Sequence, residues 1–296
     1  MLHAKLLHNP GAGNEEHTEK ELVKLIEKGG YTCTYASTKE DDWEEWEPKT
    51  DFLVLAGGDG TVRKVAKRLL NRRVVDKNFP LALLPLGTAN NIAKTLGLAG
   101  ETEDIIKSWQ EKKIKKFDVG RIYELPDHEF FLESFGYGIF PRLMKKMKET
   151  KEYAANTPEE ELMRAKKTLL ELAQSYKAQR CRIEADGVDY SGNFILVEIM
   201  NARSIGPNLH LAAYADPGDG ELEMVLVPES RREEFITFLK KNMEGSDEPF
   251  MLGSIKAKNI RMHWEGSHVH VDDELIKENS KTVRIELHEG ALQFLV

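Results

Sequence analysis

Short apolar runs at near-regular intervals dominate the first third of the chain. Leu6-Leu7, Tyr31 to Ala36, Phe52 to Ala56 and Leu81 to Leu84 read as buried strands. Between them apolar residues recur at helical spacing. Leu22, Leu25 and Ile26 mark a helix from about Asn14 that Gly29-Gly30 stops, and Val62 to Leu70 and Ala89 to Leu96 mark two more. Continuously apolar strands alternating with helices predict a parallel sheet covered on both faces.

Beyond Gly120 the rhythm changes. The runs Glu129 to Phe140, Cys181 to Ile183, Phe194 to Met200, Leu222 to Val227, Ile255 to His263, Val269 to Val271 and Val283 to Leu287 read as extended. Turn residues separate most of them, the pattern of an antiparallel sandwich or barrel. One long helix interrupts this region: Thr157-Pro158 with Glu160 opens it, and Leu162, Ala165, Leu169, Ala173 and Tyr176 form its stripe. Another is expected from Arg232 to Lys241. The expected organisation is an α/β domain over residues 1–118 and an extended-strand domain over 119–287. The apolar end, 288–296, is long enough to return to the first domain as a strand.

Composition narrows the classes. The net charge of −8 argues against nucleic acid as a partner, which needs a basic surface. Two isolated cysteines, Cys33 and Cys181, form neither a disulfide framework nor a zinc site. No signal-peptide core is evident near Met1, and no apolar run approaches a membrane span, so a cytoplasmic protein is expected.

The candidate chemistry lies where the strands end. Gly57-Gly58-Asp59-Gly60-Thr61 stands between the third strand and its helix. Glycines there let the chain turn sharply and leave amides open beside a helix N-terminus, a site for phosphate oxygens. Asp59 within that cradle can hold a cation, take a proton or cap a helix. Glycine-bearing turns at Gly11 and Gly87 fall at the same sheet edge, where ligands of parallel sheets bind.

Five signals stand in one order: Asn9-Pro10-x-x-Gly13, Gly57-Gly58-Asp59-Gly60-Thr61, Pro85-x-Gly87-Thr88-x-Asn90, Asp216-Pro217-Gly218-Asp219-Gly220 and Asp272-x-Glu274. Together they resemble the diacylglycerol kinase catalytic-domain family, which includes bacterial lipid kinases, is related to sphingosine kinases and more distantly to NAD kinases. The resemblance implies a nucleotide-binding α/β domain, a C-terminal β-sandwich and an active site in a cleft between them. The implied activity is ATP-dependent phosphorylation of the hydroxyl of diacylglycerol or a similar lipid, with Mg²⁺.

By motif matching, Asn9, Pro10, Gly11, Ala12, Gly13, Thr38, Gly57, Gly58, Asp59, Gly60, Thr61, Val62, Arg63 and Thr88 would bind ATP. Asp216, Asp219 and Glu221 would hold Mg²⁺. Glu274 would take the proton from the lipid hydroxyl, with Asp272 a second candidate and Asp59 at the metal and phosphates. The implied partners are a nucleotide and a lipid at a membrane surface, with homodimerisation left open. Phosphoryl transfer needs positioning and charge neutralisation above all. No Walker lysine is present, so a divalent cation is expected to supply much of the neutralisation.

Three positions depart from the family pattern. Val62-Arg63 stands where Asn-Glu is usual, Asn91 where Asp is usual, and Asp273 where Gly is usual. They keep two alternatives open: a related kinase with a soluble acceptor, and a nucleotide- or lipid-binding protein impaired in turnover. Other features have plain readings. His263, His268 and His270 are expected to face solvent, while Val269 and Val271 face the core. Trp43 and Trp46 are expected to be packing residues, and Lys145, Lys146, Lys148 and Lys151 either a solvated helix face or a contact for anionic lipid headgroups.

Overall fold

The apolar strands of the first third pair in parallel. In the computed structural model, which describes residues 1–13, 17–71, 78–98, 100–150, 157–251, 253–277 and 282–296, they are β1 (His3–His8), β2 (Thr32–Ser37), β3 (Phe52–Gly57) and β4 (Leu81–Pro85). Their order is β2-β1-β3-β4. Every residue of β1 and β3 is buried, as expected for central strands covered on both faces. The covering helices include α1 (Glu19–Lys28), α2 (Asp59–Leu70), α3 (Asn91–Leu96) and α4 (Thr102–Ser108). α1 starts later than its apolar spacing suggested. Thr18 accepts from the Glu21 amide while the Glu21 side chain accepts from the Thr18 amide, and this reciprocal cap sets the start.

The chain divides into two compact units, 1–117 with 289–296, and 118–288. The second begins within β5 (Ile114–Tyr123), followed by β6 (Phe130–Phe131), β7 (Ser134–Gly138), α5 (Ile139–Glu149) and α6 (Pro158–Ser175). Next come β8 (Gln179–Ala185), β9 (Val188–Asp189), β10 (Gly192–Met200), β11 (Ser204–Ile205), β12 (Leu209–His210) and β13 (Leu222–Pro228). α7 (Arg232–Met243), β14 (Ile255–Ala257), β15 (Asn259–Trp264), β16 (His268–Val271), β17 (Glu274–Lys277) and β18 (Thr282–Leu295) complete the chain.

Neighbouring strands of this unit run antiparallel, in the order β17-β16-β7-β10-β8-β15-β18. One core cluster holds Phe135, Tyr137, Val197, Trp264, Val269 and Val271. The opposite face of β7 and β10 carries Leu196 and Met200, and it packs with Phe140, Leu169 and Phe235 from α5, α6 and α7. Past its pairing with β15, β18 continues until Phe294 and Leu295 pair in parallel with Leu81 and Ala82 of β4. Among the described residues no helix is long and apolar enough to cross a membrane.

One expected extended run is interrupted. The run Glu129 to Phe140 is not a single extended segment, because the strand ends at Gly138, at φ 104°, and Ile139 opens α5. Pro141 sits in that helix's first turn, where its missing amide leaves no helical bond unmade.

Candidate active site

The carboxyl ends of β1 to β4 bring the glycine-bearing turns together. The amide of Asn9 donates to Ala56 (2.9 Å), that of Thr38 to His8 (2.8 Å) and that of Leu86 to Gly57 (3.0 Å). The side chain of Asn9 accepts from the Gly11 amide (3.2 Å) and donates to Thr61 Oγ1 (3.3 Å), tying the first turn to the second. The second and third turns meet back to back at glycine. A Cβ on Gly87 would lie 2.5 Å from the Gly58 Cα, and one on Gly58 would lie 3.2 Å from the Gly87 Cα. Gly13, at φ +62°, is packed as closely, since a Cβ there would lie 2.3 Å from the Leu86 carbonyl.

Within the nest the amides of Thr61 and Val62 both return to the Gly58 carbonyl. The N-terminus of α2 opens on the same edge, and the first amides of a helix suit an anion. Val62 itself is buried, Arg63 is half-buried and Thr88 is exposed. Asp59 does not cap its own helix. Its two oxygens accept from the amides of Asn91 (2.9 Å) and Ile92 (3.0 Å), so it clamps the start of α3. Asn90, at φ 51°, closes the same turn by accepting from Gly87 and donating to Pro85.

Two cations missing from the sequence-derived site stand here. Lys39 Nζ reaches the first turn, where it would lie 2.8 Å from a Cβ on Gly11. Lys64 donates to the Thr38 carbonyl, with its ammonium 5.1 Å from the centre of the Trp43 ring. A Lys one position past each motif residue, Thr38 and Arg63, was the available signal. Beneath them His8 is buried, and its pKa is lowered by burial first and then by repulsion from His17 and Lys39. Trp43 is buried and packs edge-on against Trp46, in keeping with a packing role.

The second unit supplies the other carboxylates. Asp272, buried and at φ 51°, accepts from the amides of Leu132 (3.1 Å), Glu133 (2.8 Å) and Ser134 (3.2 Å). Its own amide donates to the Ser134 carbonyl. Such a carboxylate is a structural clamp on the turn. Glu274 is different: its side chain is half exposed, and His128 Nδ1 lies at ion-pair distance, 3.1 Å. No sequence signal marked His128. Asp273 is exposed between the two acids.

In the acidic loop, Asp216 turns onto the Gly218 amide and Asp219 onto the Glu221 amide. Lys256 Nζ lies 2.9 Å from Asp219 and 2.7 Å from Glu221. The donor set therefore suits a cation, and an ammonium of this chain already stands in it. Among the described residues no group of three or more acidic, His or Cys side chains is placed to hold a metal ion.

The expectation of solvent-facing histidines is overturned at His270. That residue is buried against Glu198. Burial is possible because β7 places Gly136 at the intervening position, where a side chain would fill the space. His268 is half-buried and contacts Ser267, and His263 contacts Thr282. Lys151 lies outside the described residues. Lys145 and Lys146 pair with Glu149 and Glu171, as a solvated helix face would.

Comparison with known proteins finds relatives over most of the chain. Residues 3–122 match the diacylglycerol kinase catalytic domain, and residues 150–296 match the YegS C-terminal NAD kinase beta sandwich-like domain. A protein named diacylglycerol kinase from Bacillus subtilis is 25% identical over 263 residues, covering 83% of this chain and 80% of its own. A probable lipid kinase, YegS-like, from Pectobacterium atrosepticum is 26% identical and covers 74% of this chain and 72% of its own. Among solved structures, a putative diacylglycerol kinase from Bacillus anthracis superposes with a TM-score of 0.73 at 22% identity, covering 99% of this chain and 96% of that one. An NAD kinase from Archaeoglobus fulgidus in complex with ATP superposes at 0.52 and 14% identity, covering 100% of this chain and 94% of that one. These two share the fold.

Proposed function

We propose, from the premise that this chain belongs to the diacylglycerol kinase catalytic-domain family, that it transfers the terminal phosphoryl group of ATP to a hydroxyl of diacylglycerol or a similar lipid. The observation that carries the nucleotide half is the meeting of three turns at one sheet edge, with Gly58 backed on Gly87 and two lysines beside them. Asn9 to Gly13, Thr38, Gly57 to Arg63 and Thr88 take the nucleotide. The N-terminus of α2 meets phosphate oxygens, and Lys39 and Lys64 add positive charge.

Mg²⁺ carried with the nucleotide would be held by Asp59 and would neutralise charge on the phosphates. Asp219 and Glu221, with Asp216 in the same loop, would take Mg²⁺ as a second cation only where it displaces the Lys256 ammonium. At the acceptor, Glu274 takes the hydroxyl proton as the oxygen forms its bond to the γ-phosphorus. The bond from that phosphorus to the bridging oxygen breaks, and ADP leaves with the electron pair. Asp272 holds the turn and does not itself take the proton. A lipid acceptor places the working enzyme at a membrane surface on the cytoplasmic side.

A second reading, nucleotide binding without turnover, is favoured by one observation. Both oxygens of Asp59 are engaged by the α3 amides, and Asn91 offers no carboxylate beside them. Incubation with radiolabelled ATP and a total lipid extract, with and without Mg²⁺, decides between the two. Mg-dependent label in lipid supports the kinase. ATP binding with no label in any lipid or polyol sinks it in favour of the second reading.

A further inference from the structure

Behind the Asp272–Glu274 turn lies a buried acid–base pair to which the reaction above gives no work. Glu198 of β10 and His270 of β16 are 0% and 1% exposed, and His270 Nε2 stands 3.0 Å from both Glu198 oxygens. β7 runs between these strands and sets Gly136 opposite both residues. A Cβ on Gly136 would lie 2.1 Å from a Glu198 oxygen, so the missing side chain makes the space that the pair fills. The ring of Phe140 covers the imidazole edge-on at 6.4 Å, Leu275 of β17 stands opposite it, and Asp272 is the other charged group that bears on it.

The hydrogen bonds fix the protons. His270 Nδ1 lies 3.0 Å from the Asp272 carbonyl oxygen, which can only accept, so Nδ1 carries a hydrogen. One further proton lies between Nε2 and Glu198, giving either imidazolium and carboxylate or imidazole and carboxylic acid. The pair is neutral as a whole in both forms, which is what lets it stay buried.

This pair grips the turn from behind. His270 holds the Asp272 carbonyl while the Asp272 carboxylate holds the amides of 132–134, and Glu274 opens β17 two residues later. We propose that Glu198 and His270 are positioning residues of the acceptor site, fixing the Asp272 backbone and so the direction in which Glu274 presents its carboxylate. The proposal rests on Glu274 acting as the base. Neither residue of the pair touches a reacting atom.

Two variants of the full chain test it. In Glu198→Gln the amide can donate to a neutral imidazole while Nδ1 still donates to Asp272, so the grip survives where His270 is neutral. Its kcat should stay within about threefold of wild type from pH 8 to pH 6, since burial without the carboxylate keeps His270 neutral over that range. His270→Gln cuts the tie. Its kcat should fall about 100-fold with KM for ATP nearly unchanged, and amide hydrogen exchange at Leu132, Glu133 and Ser134 should quicken.

Wild-type kcat and wild-type exchange in His270→Gln would overturn the proposal. So would a Glu198→Gln that is as slow as His270→Gln at pH 8, which is the behaviour of a packing defect. Glu274→Ala, assayed alongside, separates the two readings. Transfer by that variant overturns the base assignment, whereas an inactive Glu274→Ala with an unaffected His270→Gln overturns the pair's role alone.

Discussion

The two units bury a histidine in opposite ways. In the first, burial lowers the pKa of His8, and repulsion from His17 and Lys39 adds to this against an opposing pull from Glu19. In the second, burial also pushes the pKa of His270 down, but the Glu198 carboxylate more than offsets this and the net direction is up. The same contrast runs through the neighbouring groups. The strand ends of the first unit gather helix N-terminal amides, Lys39 and Lys64 around one partly exposed carboxylate. The turn of the second unit answers each buried charge within the chain: Asp272 by three amides and Glu198 by His270. Positive potential gathered at an open edge is suited to an anionic ligand, whereas internally answered charge is suited to rigidity.

Removing the two clamping carboxylates should break this contrast most sharply, if it can be broken. Asp272→Ala strands buried amides and is expected to cost on the order of 3 kcal/mol or more of unfolding free energy. Asp59→Ala removes two part-buried hydrogen bonds that cap a short helix, and should cost only about 1 kcal/mol. Activity should run the other way for the milder lesion. Asp59→Ala should lose at least about 100-fold in transfer despite its small effect on stability. Equal losses in denaturant titrations of the two variants would mean that Asp59 is as structural as Asp272.

Next in size is the back-to-back glycine contact. Gly87→Ala would force a Cβ to 2.5 Å from backbone, and Gly58→Ala only to 3.2 Å. Calorimetric titration should therefore show ATP binding weakened by at least about tenfold in Gly87→Ala and by less in Gly58→Ala. Wild-type affinity in both would remove the glycine turns from the nucleotide site.

These expectations show what was legible in the sequence. Glycine motifs state a backbone requirement locally, so Gly57 to Thr61 and Gly87 could be placed at the strand ends without coordinates. Strand periodicity likewise foretold Val269 and Val271 in the core. What could not be read is the partner of each acid. Asp59 reaches Asn91, Asp272 reaches Leu132, and Glu198 meets His270 across a strand that lies at neither position in sequence. His270 was expected in solvent because alternation assigns it the face opposite Val269. That face is itself covered by α5, and only the spacing between strands reveals the cover.

A smaller effect probes the acidic loop. If Lys256 holds a cation site that Mg²⁺ can also use, Lys256→Met should gain more from Mg²⁺ than wild type does. An added rise in Tm of about 2–4 °C at saturating metal is expected by mass action on the folded state. Asp219→Ala should show no metal-dependent increment. Identical responses in all three proteins would reduce the loop to a turn that Lys256 pins.

The smallest effect follows from His8, and its sign is fixed by the direction of the shift. The folded pKa lies below the ordinary value of 6.5, so between the two the unfolded chain binds a proton that the folded chain does not. The stabilisation from keeping His8 neutral is complete above pH 6.5 and is lost as the pH falls from there through the folded pKa. His8→Asn should flatten that part of the stability curve while leaving the curve above it parallel to wild type. An anion at the strand ends should work against the loss, because it screens the Lys39 charge that helps depress the pKa. Repeating the acid titration with saturating ATP should therefore move the wild-type loss to lower stability cost per pH step, and leave His8→Asn unmoved in that respect. A wild-type curve as flat as that of His8→Asn would show that the first unit answers its buried histidine internally, as the second does, and the contrast between them would fall.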